Sequence, residues 1–400
     1  FVGFLMDGIL LLEKQKETNH YQIQSLPINS GVFCLKKDRF QDVVWIGTDG
    51  QGVYLYSNPL YSIKSMVLSN YTEKIERPVR AIYLDDERTF WVGTKGNGIL
   101  KIYDYEFDKN ISDCRAEVLT TSNSALSSNA VYCFAKSHRN LLWIGDEEGL
   151  TYYSYREKRI KSIPIRIGNE DFKYIHDIYE TADSELWLVS VGMGVVKARI
   201  AGTPDNPVIV DAQRYIINDG ELGSNYFFTI YAENEANLLF GNKGYGVFRY
   251  NETTNGLEPV STHKYENMTL NNILAISKDS SNNYLFGTSY GLIKYTSETS
   301  YQLFNAKNGF LNNTIHAILR NSSDDFWLST NLGLINFDTK RNVFRSYGFG
   351  DGLKVVEFSD GAGFRDSRTG TLFFGGINGV VAIRADGRPE QLYMPPVYLR

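Results

Sequence analysis

Cysteine is nearly absent from this chain: its 400 residues carry three, Cys34, Cys114 and Cys133. They form no Cys-x-x-Cys pair and keep no metal-ligand spacing, and their number does not fix the redox compartment. Cys34 and Cys133 are read as buried free thiols, because cysteine packs as a small hydrophobe. Long apolar runs are missing too. None approaches the roughly 20 residues that span a bilayer as a helix. The stretch from Phe1 to Leu12 is short, is broken by Asp7-Gly8 and is not a signal peptide. Charge of one sign is not in excess, with 41 basic and 46 acidic residues and a net charge of −5. That mild acidity, with no basic cluster to offset it, argues against a sequence-independent grip on nucleic acid. Helical periodicity is sustained nowhere, so almost no helix is expected.

What is present is a repeat. Trp45-Ile46-Gly47-Thr48-Asp49-Gly50-Gln51-Gly52-Val53 is followed by the near copy Trp91-Val92-Gly93-Thr94-Lys95-Gly96-Asn97-Gly98-Ile99. Weaker copies begin at Phe1, Trp143, Trp187, Leu239, Leu285, Trp327 and Phe373, at spacings of 42 to 52 residues. A fixed period of this length is the signature of a repeat architecture. Counting back from the anchors finds an apolar residue at twelve in all but the last copy, which has Gly361, a mostly small one at ten, and an apolar one at nine in all but the Trp45 copy, which has Lys36. Such runs, rich in β-branched and aromatic residues and bounded by polar turns, read as strands. The order is a first strand, a polar turn, the anchor strand, a glycine hairpin, a third strand and a less regular fourth. Glycine in the hairpin supplies the positive φ of a tight turn. Four antiparallel strands per period is the pattern of a β-propeller blade.

The blade count sets the expected layout. Nine anchors exceed the four to eight blades of a typical ring. The last copy, around Phe358 to Ile383, lacks a fourth strand before Met394-Pro395-Pro396. A strand near Ile63–Leu68 is expected to supply it, which closes a seven-bladed ring over residues 61–390. Residues 1–60 then read as the last blades of an earlier, truncated propeller, and 391–400 as the start of a following β domain.

Several patterns that could carry chemistry have simpler readings. The Gly-x-Gly turns open strands rather than helices, so they are hairpins and not phosphate cradles. Asn129, Asn225, Asn271 and Asn313 recur fourteen residues before their anchors and read as turn formers. Carboxylate pairs such as Asp324-Asp325 lie in turns, and no His-x-x-x-His occurs among the five histidines, so neither a catalytic site nor a metal site is assigned. The position eleven residues before the anchor stands out, because it varies while its neighbours stay apolar or small. It holds Arg80, Tyr132, His176 and His316, which are expected at the central channel or its mouth. Loops on a rigid scaffold often carry function. The variable tips and inter-blade loops add Lys95, Asn97, Tyr226, Lys243, Tyr245, Tyr290 and Asn378, with tyrosines to stack on a sugar ring and Asn or Lys to bond its hydroxyls or a carboxylate.

The repeated unit, preceded by an Asn-x-[VI] strand start, resembles the periplasmic propeller repeat of bacterial two-component regulators. The closing Leu372-Phe-Phe-Gly-Gly-Ile-Asn-Gly379 and its Pro-Pro-Val exit are similar to the last blade of the sensor region in hybrid two-component histidine kinases. The resemblance implies two seven-bladed propellers, a small β-sandwich, a transmembrane helix, and kinase, receiver and DNA-binding modules. It also implies a homodimeric, periplasmic sensor of glycan-derived oligosaccharides on an inner-membrane protein, without a cofactor. No kinase, receiver or DNA-binding segment is among these residues, so any such activity lies elsewhere. Two departures are Trp187-Leu188-Val189, which lacks the glycine, and Leu239 and Leu285, which replace the aromatic. A propeller glycosidase or lyase and a protein-interaction scaffold are the alternative readings.

Overall fold

The computed structural model describes all residues except 7, 15–20, 27, 38–42, 58–60, 73–74, 218–224, 261–270, 298, 352 and 386–400. The expected start of a following domain at 391–400 therefore lies outside the described residues, as do His20 and His263. The chain divides into two compact units, residues 63–384 and residues 1–62 with 385–400. Among the described residues there is no α-helix, only strands and short 3-10 turns.

In the larger unit, the four-stranded sheets are numbered here in chain order. Sheet 1 is Val79–Leu84, Phe90–Thr94, Ile99–Ile102 and Ala116–Leu119. Sheet 2 is Val131–Lys136, Leu141–Asp146, Leu150–Ser154 and Arg159–Ser162. Sheet 3 is Ile175–Glu180, Glu185–Ser190, Gly194–Thr203 and Asn206–Tyr215. Sheet 4 is Phe227–Asn234, Asn237–Asn242, Gly246–Asn251 and Gly256–Pro259. Sheet 5 is Ile273–Lys278, Tyr284–Thr288, Gly291–Ser297 and Ser300–Phe304. Sheet 6 is Ala317–Arg320, Asp325–Thr330, Gly333–Asp338 and Val343–Tyr347. Sheet 7 is Phe358–Arg365, Leu372–Gly376 and Gly379–Ala385, with Tyr61–Val67 as its fourth strand. Each first strand packs against the first strand of the next sheet, and that of sheet 7 packs against that of sheet 1. The chain is thus a β-propeller, and the strand that completes sheet 7 comes from just ahead of sheet 1.

The repeat's two kinds of glycine have different jobs. Hairpin glycines such as Gly96 and Gly98 have φ of 127° and 77°, as a tight turn requires. The anchor glycine is needed for space. A Cβ on Gly93 would lie 2.7 Å from Val131 Cγ1 of sheet 2, one on Gly241 2.9 Å from Ile273 Cγ2 of sheet 5, and one on Gly375 2.6 Å from Val79 Cγ1 of sheet 1. In sheet 3 the equivalent Val189 is fully buried in one cluster with Phe227, so that interface packs side chain on side chain. The recurrent asparagine also joins neighbours. The Asn129 carbonyl accepts from the N–H groups of Gly96 and Gly98, and that of Asn225 from Gly192 and Gly194. The turn role holds as well, since Asn129 Oδ1 accepts from Thr121 N at 2.9 Å.

The smaller unit holds two three-stranded sheets, Val2–Gly3, Ile9–Lys14 and Tyr21–Leu26, then Val32–Lys37, Val43–Thr48 and Val53–Ser57. They share a core of Ile9, Ile28, Val32 and Ile46. Here the backward count slips. Lys36 pairs with Trp45 where Tyr83 pairs with Trp91, so the paired positions are one residue farther apart in the chain, and Val32 rather than Phe33 takes the buried place. Cys34 is correspondingly the small residue opposite Gly47. It is exposed rather than buried, because the face of the sheet that it shares with Trp45 is itself exposed. Cys133 is buried as expected, and burial pushes its thiol pKa well up.

Candidate functional site

The variable position of the repeat is a β-bulge. Ladder register breaks between Val79 and Ala81, Val131 and Cys133, Ile175 and Asp177, Phe227 and Thr229, and Ile273 and Ala275. A bulge leaves its extra residue outside the ladder and re-aims its side chain. The residues released are Arg80, Tyr132, His176, Phe228 and Leu274, and together with His316 they line a central cavity of about 180 Å³. In sheet 7 the register break is wider, from Phe358 to Gly363, and carries Ser359, Asp360 and Gly361.

One side of the channel is a polar cluster. His316 Nδ1 lies 2.5 Å from Asp360 Oδ1, and His316 Nε2 lies 2.6 Å from Asn331 Oδ1. A proton on Nδ1 donates to the carboxylate, and the Asn331 amide can turn either its oxygen or its nitrogen to Nε2. Arg80 Nη1 stands 3.6 Å from Asp360 Oδ2, with the Arg80 side chain 13% exposed. Arg80 Nε is buried with no hydrogen-bond partner among the described residues. Burial alone would raise the Asp360 pKa, but the His316 hydrogen bond and the charges of His316 and Arg80 outweigh it and bring it down to about 2. The opposite side is aromatic and apolar. Tyr132 stacks on His176 with ring centres 4.4 Å apart, and Phe228 meets His176 edge-on at 5.4 Å. Such a site offers an anchored carboxylate, spare guanidinium donors and flat ring faces.

Burial, then the nearby Arg80 charge, bring the His176 pKa down to about 3, so the imidazole is neutral at pH 7. Unfolded histidine, with a pKa near 6.5, binds a proton that the folded state refuses, so stability is full above about pH 6.5 and falls toward pH 3. Asp146 and Asp177, raised to about 6 chiefly by burial, act oppositely: their contribution is full below about pH 3.8 and is lost as pH rises through 6. His176→Phe keeps the stack and removes only the histidine effect. Denaturant unfolding at pH 7.5 and pH 5 should show the parent losing up to about 2 kcal/mol more than the variant over that interval. Equal losses in the two proteins would contradict the assignment.

Of the residues singled out in the sequence, Arg80, Tyr132, His176 and His316 meet in the channel. The others lie at the hairpins and loops. Asn97 Oδ1 accepts from the backbone of Glu76 and Arg77 at 3.0 and 2.7 Å, a local turn-holding role. Tyr245 and Tyr290 are partly buried against the cores of their sheets. The Tyr226 ring covers Gly192. Lys95 and Lys243 form backbone bridges to Ala130 and Asn272 and keep exposed side chains, and Asn378 Nδ2 donates to the Lys354 carbonyl at 3.4 Å. Asp360 was not found by the pattern, because the last copy carries extra residues in its first strand. The run Phe358-Ser-Asp-Gly-Ala-Gly was the available signal.

The fold has counterparts among solved structures. An extracellular domain assigned to a hybrid two-component system of B. thetaiotaomicron matches 96% of this chain with a TM-score of 0.65 and 24% identity. A second such domain from that organism matches 96% of the chain with a TM-score of 0.65 and 18% identity. This chain has their fold. It spans 50% and 52% of the lengths of those two domains. Virginiamycin B lyase from Staphylococcus aureus matches 81% of this chain and 99% of its own, with a TM-score of 0.58 and 15% identity. By sequence, 140 residues, 32% of this chain and 57% of the relative, are 31% identical to translation initiation factor 6 of Saccharolobus solfataricus. No family model matches the chain.

Proposed function

We propose that this chain is part of the extracytoplasmic, ligand-sensing region of a hybrid two-component sensor, and that it binds a glycan-derived oligosaccharide at the propeller channel. The observation that carries the reading is the cluster of Arg80, Asp360 and His316 facing the Tyr132–His176 stack in a fold shared with two such extracellular domains. Sugar recognition needs planar hydrogen-bonding groups and a ring face, and the channel supplies both. In this reading residues 61–390 are one seven-bladed ring, supported by the cyclic neighbour order, and residues 1–60 are the last blades of a preceding propeller. The sensor works as a periplasmic homodimer of an inner-membrane protein. Its signal arises because the ligand favours one dimer arrangement over another. Among the described residues no helix is long and apolar enough to cross a membrane.

Calorimetry of the chain against neutral and acidic oligosaccharides, with the sugar analysed afterwards, tests this. Saturable heat, unchanged sugar and at least tenfold weaker binding by Arg80→Ala are expected. Conversion of the sugar would turn the reading into that of a propeller lyase or glycosidase. Absence of heat with every sugar, or binding indifferent to Arg80, would remove the channel as a glycan site.

A further inference from the structure

The repeat places one residue of each third strand opposite the anchor, and in four sheets it is basic: Lys101, Lys197, Arg249 and Lys294. Three of these cations have close partners. Lys197 Nζ lies 2.9 Å from Glu185 Oε1, Arg249 Nη2 donates to the Tyr284 hydroxyl at 3.2 Å, and Lys294 Nζ donates to the Thr339 carbonyl at 2.6 Å. Lys101 is the exception. Its side chain is 5% exposed, yet its partners among the described residues are the Tyr153 hydroxyl at 3.5 Å and Glu117 at 4.0 Å. The ammonium is crowded instead by the rings of Trp91, Tyr103 and Tyr153, 4.6 to 4.9 Å from their centres. Burial pulls its pKa below that of an ordinary lysine, against the opposing pull of Glu117 and Asp85.

Beside this ammonium, between sheets 1 and 2, lies a cavity of about 380 Å³, a volume within the range of small-molecule sites. Arg115 stacks on Tyr103 at 4.1 Å at the same cavity and has no ion-pair partner among the described residues. The acids in its wall are unequally engaged. Asp85 accepts from Thr89 N at 2.7 Å and Trp91 Nε1 at 2.8 Å, and Glu117 accepts from the Tyr103 hydroxyl at 2.6 Å. Glu87 has no hydrogen-bond partner among the described residues, and Asn123, Ser124, Lys158 and Arg159 add to the polar rim.

We propose that this cleft is a second ligand site, separate from the channel, for a small carboxylate that also bears hydroxyl groups. The carboxylate supplies the close acceptor that Lys101 lacks, with Arg115 as second cation, in surroundings that strengthen charge-assisted bonds. The hydroxyls donate to Glu87 and bond the rim. A neutral ligand would leave the ammonium as poorly satisfied as it is alone, so charge is the selective feature. The free acid and the acidic end of a longer glycan present the same group, and both are to be tested.

The test is calorimetry of the whole chain with glucuronate, a glucuronate-terminated disaccharide and glucose. Both acids are expected to bind and glucose to bind at least tenfold more weakly. The disaccharide binding alone assigns the site to glycan ends, and glucuronate binding as well or better assigns it to the free acid. Lys101→Met should weaken the acids at least tenfold. Ala125→Phe, which fills the cavity from an exposed loop position, should do the same without touching the buried lysine, so a folding defect in the first variant does not decide the matter. The proposal is overturned if glucose binds as well as the acids, if neither acid binds up to about 10 mM, or if both variants bind like the parent. Binding lost only in Arg80→Ala would move the acid to the channel and overturn it as well.

Discussion

Trp143→Ala is expected to lower the unfolding free energy by about 5 kcal/mol, the sum of a large cavity and an abandoned carboxylate. Trp143 is fully buried between sheets 2 and 3, in a cluster with Phe172, Ile175 and Leu186. Its indole N–H donates to Glu180 Oε2 at 2.7 Å, across the interface. Glu180 is 6% exposed, and its other oxygen, Oε1, has no hydrogen-bond partner among the described residues. Removing the indole leaves that buried carboxylate without its donor. Trp143→Phe separates the two effects. It keeps most of the ring volume and removes the donor, so it should lose about 1–3 kcal/mol. Denaturant unfolding at fixed pH measures both. If alanine and phenylalanine were equally harmful, the hydrogen bond would be the whole effect, and if phenylalanine were neutral, packing would be.

The second large effect is at the seam of the ring. Gly375→Ala should destabilise by about 2–3 kcal/mol, the upper part of the range for overpacking a tight core. The added methyl would lie 2.6 Å from Val79 Cγ1 and 3.0 Å from Ala362 Cβ. Val79 is fully buried at the start of sheet 1, so the clash falls where the last sheet meets the first. Val79→Ala in the same chain should recover much of the loss, because the two changes share one contact and couple by about 0.5–3 kcal/mol. Gly256→Ala is the control. A Cβ there meets nothing nearer than Thr254 at 3.8 Å, so stability should hold or rise by up to about 1 kcal/mol. A Gly375 variant as harmless as that control would mean that the anchor glycine is not a spacing device.

The two lysine-bearing and arginine-bearing sites differ in what makes them selective. In the channel, Arg80 already leans on Asp360, so an incoming group competes with or joins an existing pair. In the cleft, Lys101 lacks a close acceptor and the ligand would provide one. Acid specificity is therefore expected in the cleft more than in the channel.

Much was legible in the chain because a propeller writes its unit many times. Strand order, hairpin glycines and the position facing the channel all follow from aligning the copies on Trp45, Trp91 and their weaker relatives. Linear spacing misplaces a partner where the paired residues lie one position farther apart in the chain. Trp45 and Phe373 each pair one residue farther along than Trp91 does, since Lys36 and Phe364 take the place of Tyr83. Linear distance from an anchor is blind to a one-residue insertion, whereas a ladder is not.

What the sequence alone determined was the all-β repeat, the near absence of helix and the identity of Arg80, Tyr132, His176 and His316 as one recurring position. These are consequences of local pattern, turn chemistry and period. Tertiary structure decided which residues meet. Asp360 reaches His316 only because a widened bulge brings sheet 7 into the channel, 44 positions away along the chain. The anchor glycine proved to be room for the neighbouring sheet, and Lys101 proved to lack the close partner that its equivalents have. Each of these depends on a distance between sheets, which packing sets and no single stretch of sequence contains.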